Sequence, residues 1–313
     1  MTLIQRLLGT SKDRHWLADG GLETALIFLD GFDLPEFASF PLLADPEGRA
    51  AITRYFEGYL AEAAALETGF VLDTATWRAS QGWAEALRMT PDEIDAANRD
   101  AVAFARDLAV GRQTPIVING VVGPFGDAYN PDRVLDAAEA EAYHDRQVRV
   151  LKRAGVDMIS AMTMSSPGEA IGIARAAVAA DIPVVISFTV ETDGNLISGQ
   201  SLKDAIAETD DKARGAPMFY GINCAHPDHF RHVLDGDWTH RIGLIRANAS
   251  RKSHAELDES TELDPGDPIE LAGDYVGLDR LLPNLRIVGG CCGTDVSHIG
   301  KIGARCVHLH RAA

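Results

Sequence analysis

Eight short apolar runs, each followed by a stretch of helical periodicity or a short helical segment, constrain this chain more than any other feature. The runs fall at residues 15–19, 70–74, 115–120, 156–162, 182–188, 218–223, 242–247 and 285–288. They are apolar at consecutive positions, the habit of parallel strands covered on both faces. Between them lie helical patterns. Residues 45–66 carry Ile52, Tyr55, Phe56, Tyr59 and Leu60 at spacings of three and four. Thr90-Pro91-Asp92-Glu93 opens a helix to about residue 110 with an N-cap, a first-position proline and early acids. Further helices are expected over 134–153, 168–180, 202–213, 226–234, 269–282 and 295–306. Eight strand–helix units in 313 residues fit an α/β chain closed into a (β/α)8 TIM barrel. An open doubly wound sheet is the alternative, but no G-x-G-x-x-G follows a strand to favour it. No linker interrupts the pattern, so residues 1–313 read as one domain. The acidic loop 253–268 reads as an insertion on the catalytic face.

A net charge of −17 argues against a nucleic-acid partner and against an anionic membrane, since both require basic patches. The apolar stretch in the first eight residues is too short for a signal peptide. No run approaches the eighteen or so apolar residues of a transmembrane helix. Four cysteines in a chain of this size make no disulfide framework, and the expected compartment is a reducing cytosol.

Against that background Val288-Gly289-Gly290-Cys291-Cys292-Gly293-Thr294 stands out. Adjacent cysteines rarely bridge to each other, because the bond would close a small, strained ring. In a cysteine-poor chain they point to a metal site or redox chemistry. Flanking glycines let the backbone turn and aim both sulfurs at one point. In a (β/α)8 barrel the chemistry lies at the C-terminal ends of the strands. Those ends offer one further soft ligand, Cys224, after the sixth strand. Cys306 falls late in the last helix and reads as a buried small hydrophobe. Three thiolates with an open fourth position suit Zn2+. A substrate thiol in that position would lose its proton and stay nucleophilic, chemistry suited to moving an alkyl group onto sulfur.

Asp19-Gly20-Gly21-Leu22-Glu23-Thr24, Gly221-Ile222-Asn223-Cys224 and Gly289-Gly290-Cys291-Cys292-Gly293-Thr294 resemble motifs of the homocysteine S-methyltransferase family. Residues 74–80 and Gly123-Pro124-Phe125-Gly126 match more weakly, and the resemblance covers almost the whole chain. It implies a zinc-dependent barrel that transfers a methyl group from a sulfonium or ammonium donor to a thiol acceptor, and the branch it looks like uses S-methylmethionine or S-adenosylmethionine. It implies Cys224, Cys291 and Cys292 as metal ligands and catalytic residues. Substrate contacts are implied at Asp19, Gly20, Thr76, Met162, Thr163, Asn223 and Arg246, with Asp19 holding the acceptor's amino group. It also allows a homo-oligomer through the outer helices, although no stretch marks an interface.

Three places depart from the family pattern, one of them Val121, where a serine is common before the Gly-Pro loop. Met162 replaces the usual Glu before Thr163, and Arg246-Ala247-Asn248-Ala249-Ser250 replaces Tyr-Pro-Asn-Ser-Gly, keeping only the Asn. Two acceptors therefore fit: homocysteine by resemblance, and a carboxylate-bearing thiol without an amino group whose carboxylate would pair with Arg246.

Other signals are weaker. His226, His229 and His232 drift around a helix, and His226 is nearest the strand end. Trp77 and Phe125 are candidates for the wall of a cation-binding donor pocket. A Schiff-base aldolase would need a lysine at a strand end. Lys152, Lys203, Lys212 and Lys301 fall on helices, and Lys12 and Lys252 in loops. The non-enzymatic alternative is a zinc-binding scaffold or thiol sensor.

Overall fold

The computed structural model describes residues 2–9, 15–129 and 133–309; Lys12 lies outside them. The strands are β1 (Trp16–Leu17), β2 (Phe70–Asp73), β3 (Ile116–Val122), β4 (Met158–Met164), β5 (Val184–Phe188), β6 (Tyr220–Asn223), β7 (Ile242–Ala247) and β8 (Ile287–Gly290). They pair in parallel in the order β1 to β8, and β8 returns to β1. The helices are α1 (Leu3–Leu7), α2 (Leu22–Phe28), α3 (Pro46–Ala65), α4 (Pro91–Ala109), α5 (Ala137–Ala154), α6 (Pro167–Ala179), α7 (Leu202–Lys212), α8 (Pro227–Phe230), α9 (His254–Asp258), α10 (Pro268–Leu281) and α11 (Val296–Leu309). Their starts follow the sequence chemistry. Asp45 caps α3, while Thr90 and Asp136 close capping boxes on α4 and α5. Among the described residues no helix is long and apolar enough to cross a membrane.

Strand alternation sorts the side chains into two cores. Outward residues such as Leu17, Phe70, Leu72, Ile159, Ile186, Ile222 and Ile245 pack beneath the helices. Inward residues Trp16, Val71, Val117, Met158, Val185, Phe219, Leu244 and Ile287 fill the barrel, and Leu7 of α1 packs with them. Two residues further along, the inward positions turn polar at Asp73, Asn119, Ser187 and Arg246, and Asn223 joins them four residues past Phe219, all buried. The barrel floor is thus apolar and its C-terminal mouth is charged.

The (β/α)8 expectation holds, with local corrections. Residues 22–28, which the periodicity left unassigned, form α2. The helix expected over 226–234 is one α-turn, α8, followed by a 3₁₀ turn at Arg231–Val233. The acidic segment carries its own helix, α9, capped by Ser253 and Glu256.

β8 ends two residues later than expected, so Gly289 and Gly290 are strand residues and make no turn. Their value is close approach. A Cβ on Gly290 would lie 2.1 Å from Thr294 Oγ1, and one on Gly289 would lie 2.9 Å from the Ala18 Cβ. Only Gly293, at φ +80°, supplies the left-handed turn. Gly290→Ala is therefore expected to destabilise the fold by about 1–3 kcal/mol, the usual cost of overpacking. Urea unfolding measures this, and an unchanged midpoint would show that the turn yields freely.

Candidate metal centre and its cavity

Cys224, one residue past β6, and Cys291–Cys292, directly after β8, bring three sulfurs to the barrel mouth. All three Sγ atoms lie within 4.8 Å of one another. Cys224 and Cys292 are 3.6 Å apart. A tetrahedral ion with metal–sulfur bonds of about 2.3 Å needs sulfur–sulfur edges of about 3.8 Å, so this donor set fits zinc in kind and spacing. The thiols are within hydrogen-bonding reach of one another. Hydrogen bonds from Cys224, then from Cys292, together with the charge of Arg246, hold Cys291 well below the ordinary thiol range. The same bond to Cys291 pushes Cys224 up. Tyr129 donates from its hydroxyl to Cys224 Sγ at 2.8 Å.

The peptide groups at the end of β7, which carries no cysteine, hold both cysteine segments. Cys224 N–H donates to the Arg246 carbonyl, and Cys291 N–H to that of Ala247. Ala249 N–H donates to the Cys292 carbonyl. Asn248 Nδ2 donates to the Cys224 carbonyl at 3.0 Å. Cys224 and Thr163 both hold left-handed backbones, φ +60° and +67°, rare for residues with a Cβ. Asn223 locks this arrangement. Its Oδ1 accepts from Thr163 N–H and Ser187 Oγ, and its Nδ2 donates to Thr163 Oγ1. Asn223 is thus a bridge between strand ends.

A cavity of about 420 Å³ opens in front of the sulfurs. Gly20, Met162, Thr163 and Arg246 line it, together with Trp77 and Phe37, whose rings meet edge to face. Leu257, Asp258 and Leu263 of the acidic segment also line it, so the placement of that insertion on the catalytic face agrees with the structure.

Three expected contacts change. Arg246 does not reach out for a substrate carboxylate. Nε donates to the Gly290 carbonyl, Nη1 to Asp73, and Nη2 to Asp19 and the Gly20 carbonyl. Period two explains this: Arg246 follows inward Leu244, and the barrel mouth supplies two carboxylates. Asp19 spends one oxygen on Arg246 and accepts the Tyr55 hydroxyl on the other at 2.9 Å, so it is held from within. Burial pushes its carboxyl up, to about 7, against the pull of Arg246. Thr76 is fully buried, donates to the Val121 carbonyl and does not line the cavity.

Phe125 also faces elsewhere, edge-on to Tyr143. Of the three histidines, His226 caps α8, while His229 and His232 bond to carbonyls; none lines the cavity. The histidine that does is His254, on α9, whose Nε2 lies 2.6 Å from the Cys224 carbonyl. Its ring packs on Tyr129 at 4.3 Å. Neither residue belongs to a sequence motif, and loop distance hides their meeting.

A parallel (β/α)8 barrel with three sulfurs converging on a cavity at its C-terminal face defines a barrel enzyme with a candidate metal centre. The homocysteine S-methyltransferase family profile matches residues 16–306, and the chain belongs to that family. It is 28% identical over 276 residues to homocysteine S-methyltransferase 2 of Arabidopsis thaliana, covering 78% of this chain and 80% of that one. A selenocysteine Se-methyltransferase of Brassica oleracea var. italica is 28% identical over 218 residues, 64% of this chain and 60% of its own length. The metallated form of the homocysteine methyltransferase MmuM from Escherichia coli shares the fold at a TM-score of 0.74. The identity is 22%, with 97% of this chain and 100% of that one covered.

Proposed function

We propose that this protein is a zinc-dependent methyltransferase that moves a methyl group from a sulfonium donor to the thiol of homocysteine. One observation carries the reading: three cysteine sulfurs from two strand ends face one cavity at a spacing that suits a tetrahedral ion. Cys224, Cys291 and Cys292 would hold Zn2+, and a thiol joining them would be a thiolate at neutral pH. In the reaction the acceptor's new sulfur–methyl bond forms as the donor's breaks. The donor sulfur keeps the bonding pair, and the acceptor proton leaves for solvent.

The chain's own groups align and shield the partners. Tyr129 and the β7 backbone fix the sulfurs, and Thr163 with Asn223 fixes the strand ends behind them. Met162 and Trp77 give the pocket apolar walls, while Glu23, Asp258 and Glu262 favour a cationic donor over a neutral one. Holding two substrates for in-line attack is worth several kcal/mol by itself, about 7–11 in well-oriented systems. The same reading takes the chain as one methyltransferase domain working in a reducing compartment, where four free cysteines, three of them at the cavity, persist.

The purified protein is expected to hold one zinc per chain and to form methionine from homocysteine and S-methylmethionine. Chelation should reduce this to background, and added Zn2+ should restore it. Full activity in protein shown to be metal-free would remove the reading.

A further inference from the structure

Two arginines line the cavity, and their surroundings differ. Arg246 is neutralised by Asp19 and Asp73. Arg78, in the loop after β2, has no carboxylate within ion-pair distance among the described residues. Its guanidinium carbon lies 4.1 Å from the ring centroid of Trp77 and 4.1 Å from that of Trp83. Arg78 as a whole is half-buried; Nη1 donates to the Gly126 carbonyl at 2.9 Å, and the buried Nε has no hydrogen-bond partner among the described residues.

This is an unusual state for a cation. A buried, charged donor left unpaired is costly, so such a group calls for a partner that the protein alone does not supply. Stacking on aromatic rings stabilises the charge and fixes the plane of the fork, but it leaves the in-plane N–H groups unused. With Nη1 taken by Gly126, the remaining edge is Nε with Nη2, the pair that accepts a carboxylate side-on with two parallel bonds. Burial lowers the basicity of Arg78, and an anion at that edge would reverse the effect.

We propose that Arg78 is the receptor for a substrate carboxylate, making the cavity selective for small thiols or sulfonium compounds that carry one. The proposal rests on the methyltransferase reading. It assigns a specificity-determining residue to that site, with Trp77 and Trp83 as the rails that hold its plane.

The test is a binding titration on the zinc-loaded full chain, followed by tryptophan fluorescence, since Trp77 and Trp83 border the group. Homocysteine is compared with its carboxamide, and S-methylmethionine with its carboxamide, in wild type, Arg78→Met and Arg78→Lys. A charge-assisted pair predicts that wild type binds one acid about 10–100-fold more tightly than the matching amide. The pair showing the difference identifies acceptor or donor as the carrier. In Arg78→Met the acid-to-amide ratio should fall to about one, and Arg78→Lys should keep only part of it. Equal binding of acid and amide by wild type overturns the proposal. So does an equal loss for both in Arg78→Met, which would mark Arg78 as a packing residue. If Arg78→Met does not fold, Arg78→Lys and the wild-type ratios still decide. Acid selectivity without methyl transfer would sink the parent reading alone; transfer without acid selectivity would sink this one alone.

Discussion

Cys291→Ala is expected to give a folded protein that neither keeps zinc nor transfers methyl groups, with turnover down at least about a thousandfold. Altering a residue behind a metal ligand already costs about 10–100-fold in affinity, so removing a ligand costs more. Two remaining sulfurs are too few for a tetrahedral site with one open position. The fold should survive, because Cys291 contributes to it through its backbone: its N–H meets the Ala247 carbonyl, and its carbonyl accepts from Thr294. Cys306→Ala is the matched control. That thiol is buried in the helix-side core, away from the cavity, and its loss should leave zinc and turnover intact. Metal content by mass spectrometry and methionine formation measure both. Zinc at one per chain with normal turnover in Cys291→Ala would remove the three-sulfur site.

The second large effect is expected from Arg246→Met, and it falls on stability. The substitution leaves Asp19 and Asp73 facing each other's charge in the barrel mouth without their shared cation. Removing one partner of a buried ion pair costs about 3–5 kcal/mol. The sign with pH follows from linkage. Asp19, already raised by burial to about 7, loses the cation that holds it down and rises further above the ordinary carboxylate value of the unfolded chain. A group with a raised folded pKa contributes fully below its unfolded pKa, and that contribution is lost as pH rises through the folded value. The deficit against wild type should therefore be largest near pH 8 and shrink toward pH 4. Urea unfolding at both ends of that window checks it. A deficit independent of pH would mean that lost packing, not unpaired charge, sets the cost.

Much of this was legible in the residues. Consecutive apolar runs mark a two-sided parallel sheet, and the rule that chemistry gathers at strand ends brings Cys224 to Cys291 and Cys292 across the width of β7. The errors have physical causes. Reading β8 as ending at Val288 made Gly289 and Gly290 look like a turn, when they are strand residues pressed against Ala18 and Thr294. A strand-end arginine taken alone looks available to a substrate, but Arg246 has Asp19 and Asp73 beside it. Counting in steps of two from Leu244, and likewise from Val71 to Asp73, would have placed both side chains inward and facing each other. Tyr129 and His254 come from separate loops, and their contact depends on loop paths that no periodicity encodes.

The end of β7 also bears on how such a site changes over time. Residues 246–249 hold Cys224, Cys291 and Cys292 in place largely with peptide groups, and of their own side chains Asn248 is the one that bonds to the cysteine backbone. Asn248 is also the one residue of that stretch matching the family's Tyr-Pro-Asn-Ser-Gly. The segment works as a jig whose grip is indifferent to most of its own lettering. Arg246 can stand where the family pattern has Tyr because Asp19 and Asp73 match its charge, while the peptide groups keep their hold on the cysteine segments. Side-chain divergence at this strand end is thus compatible with an unchanged cysteine backbone wherever the charge it buries is matched, as Asp19 and Asp73 match Arg246.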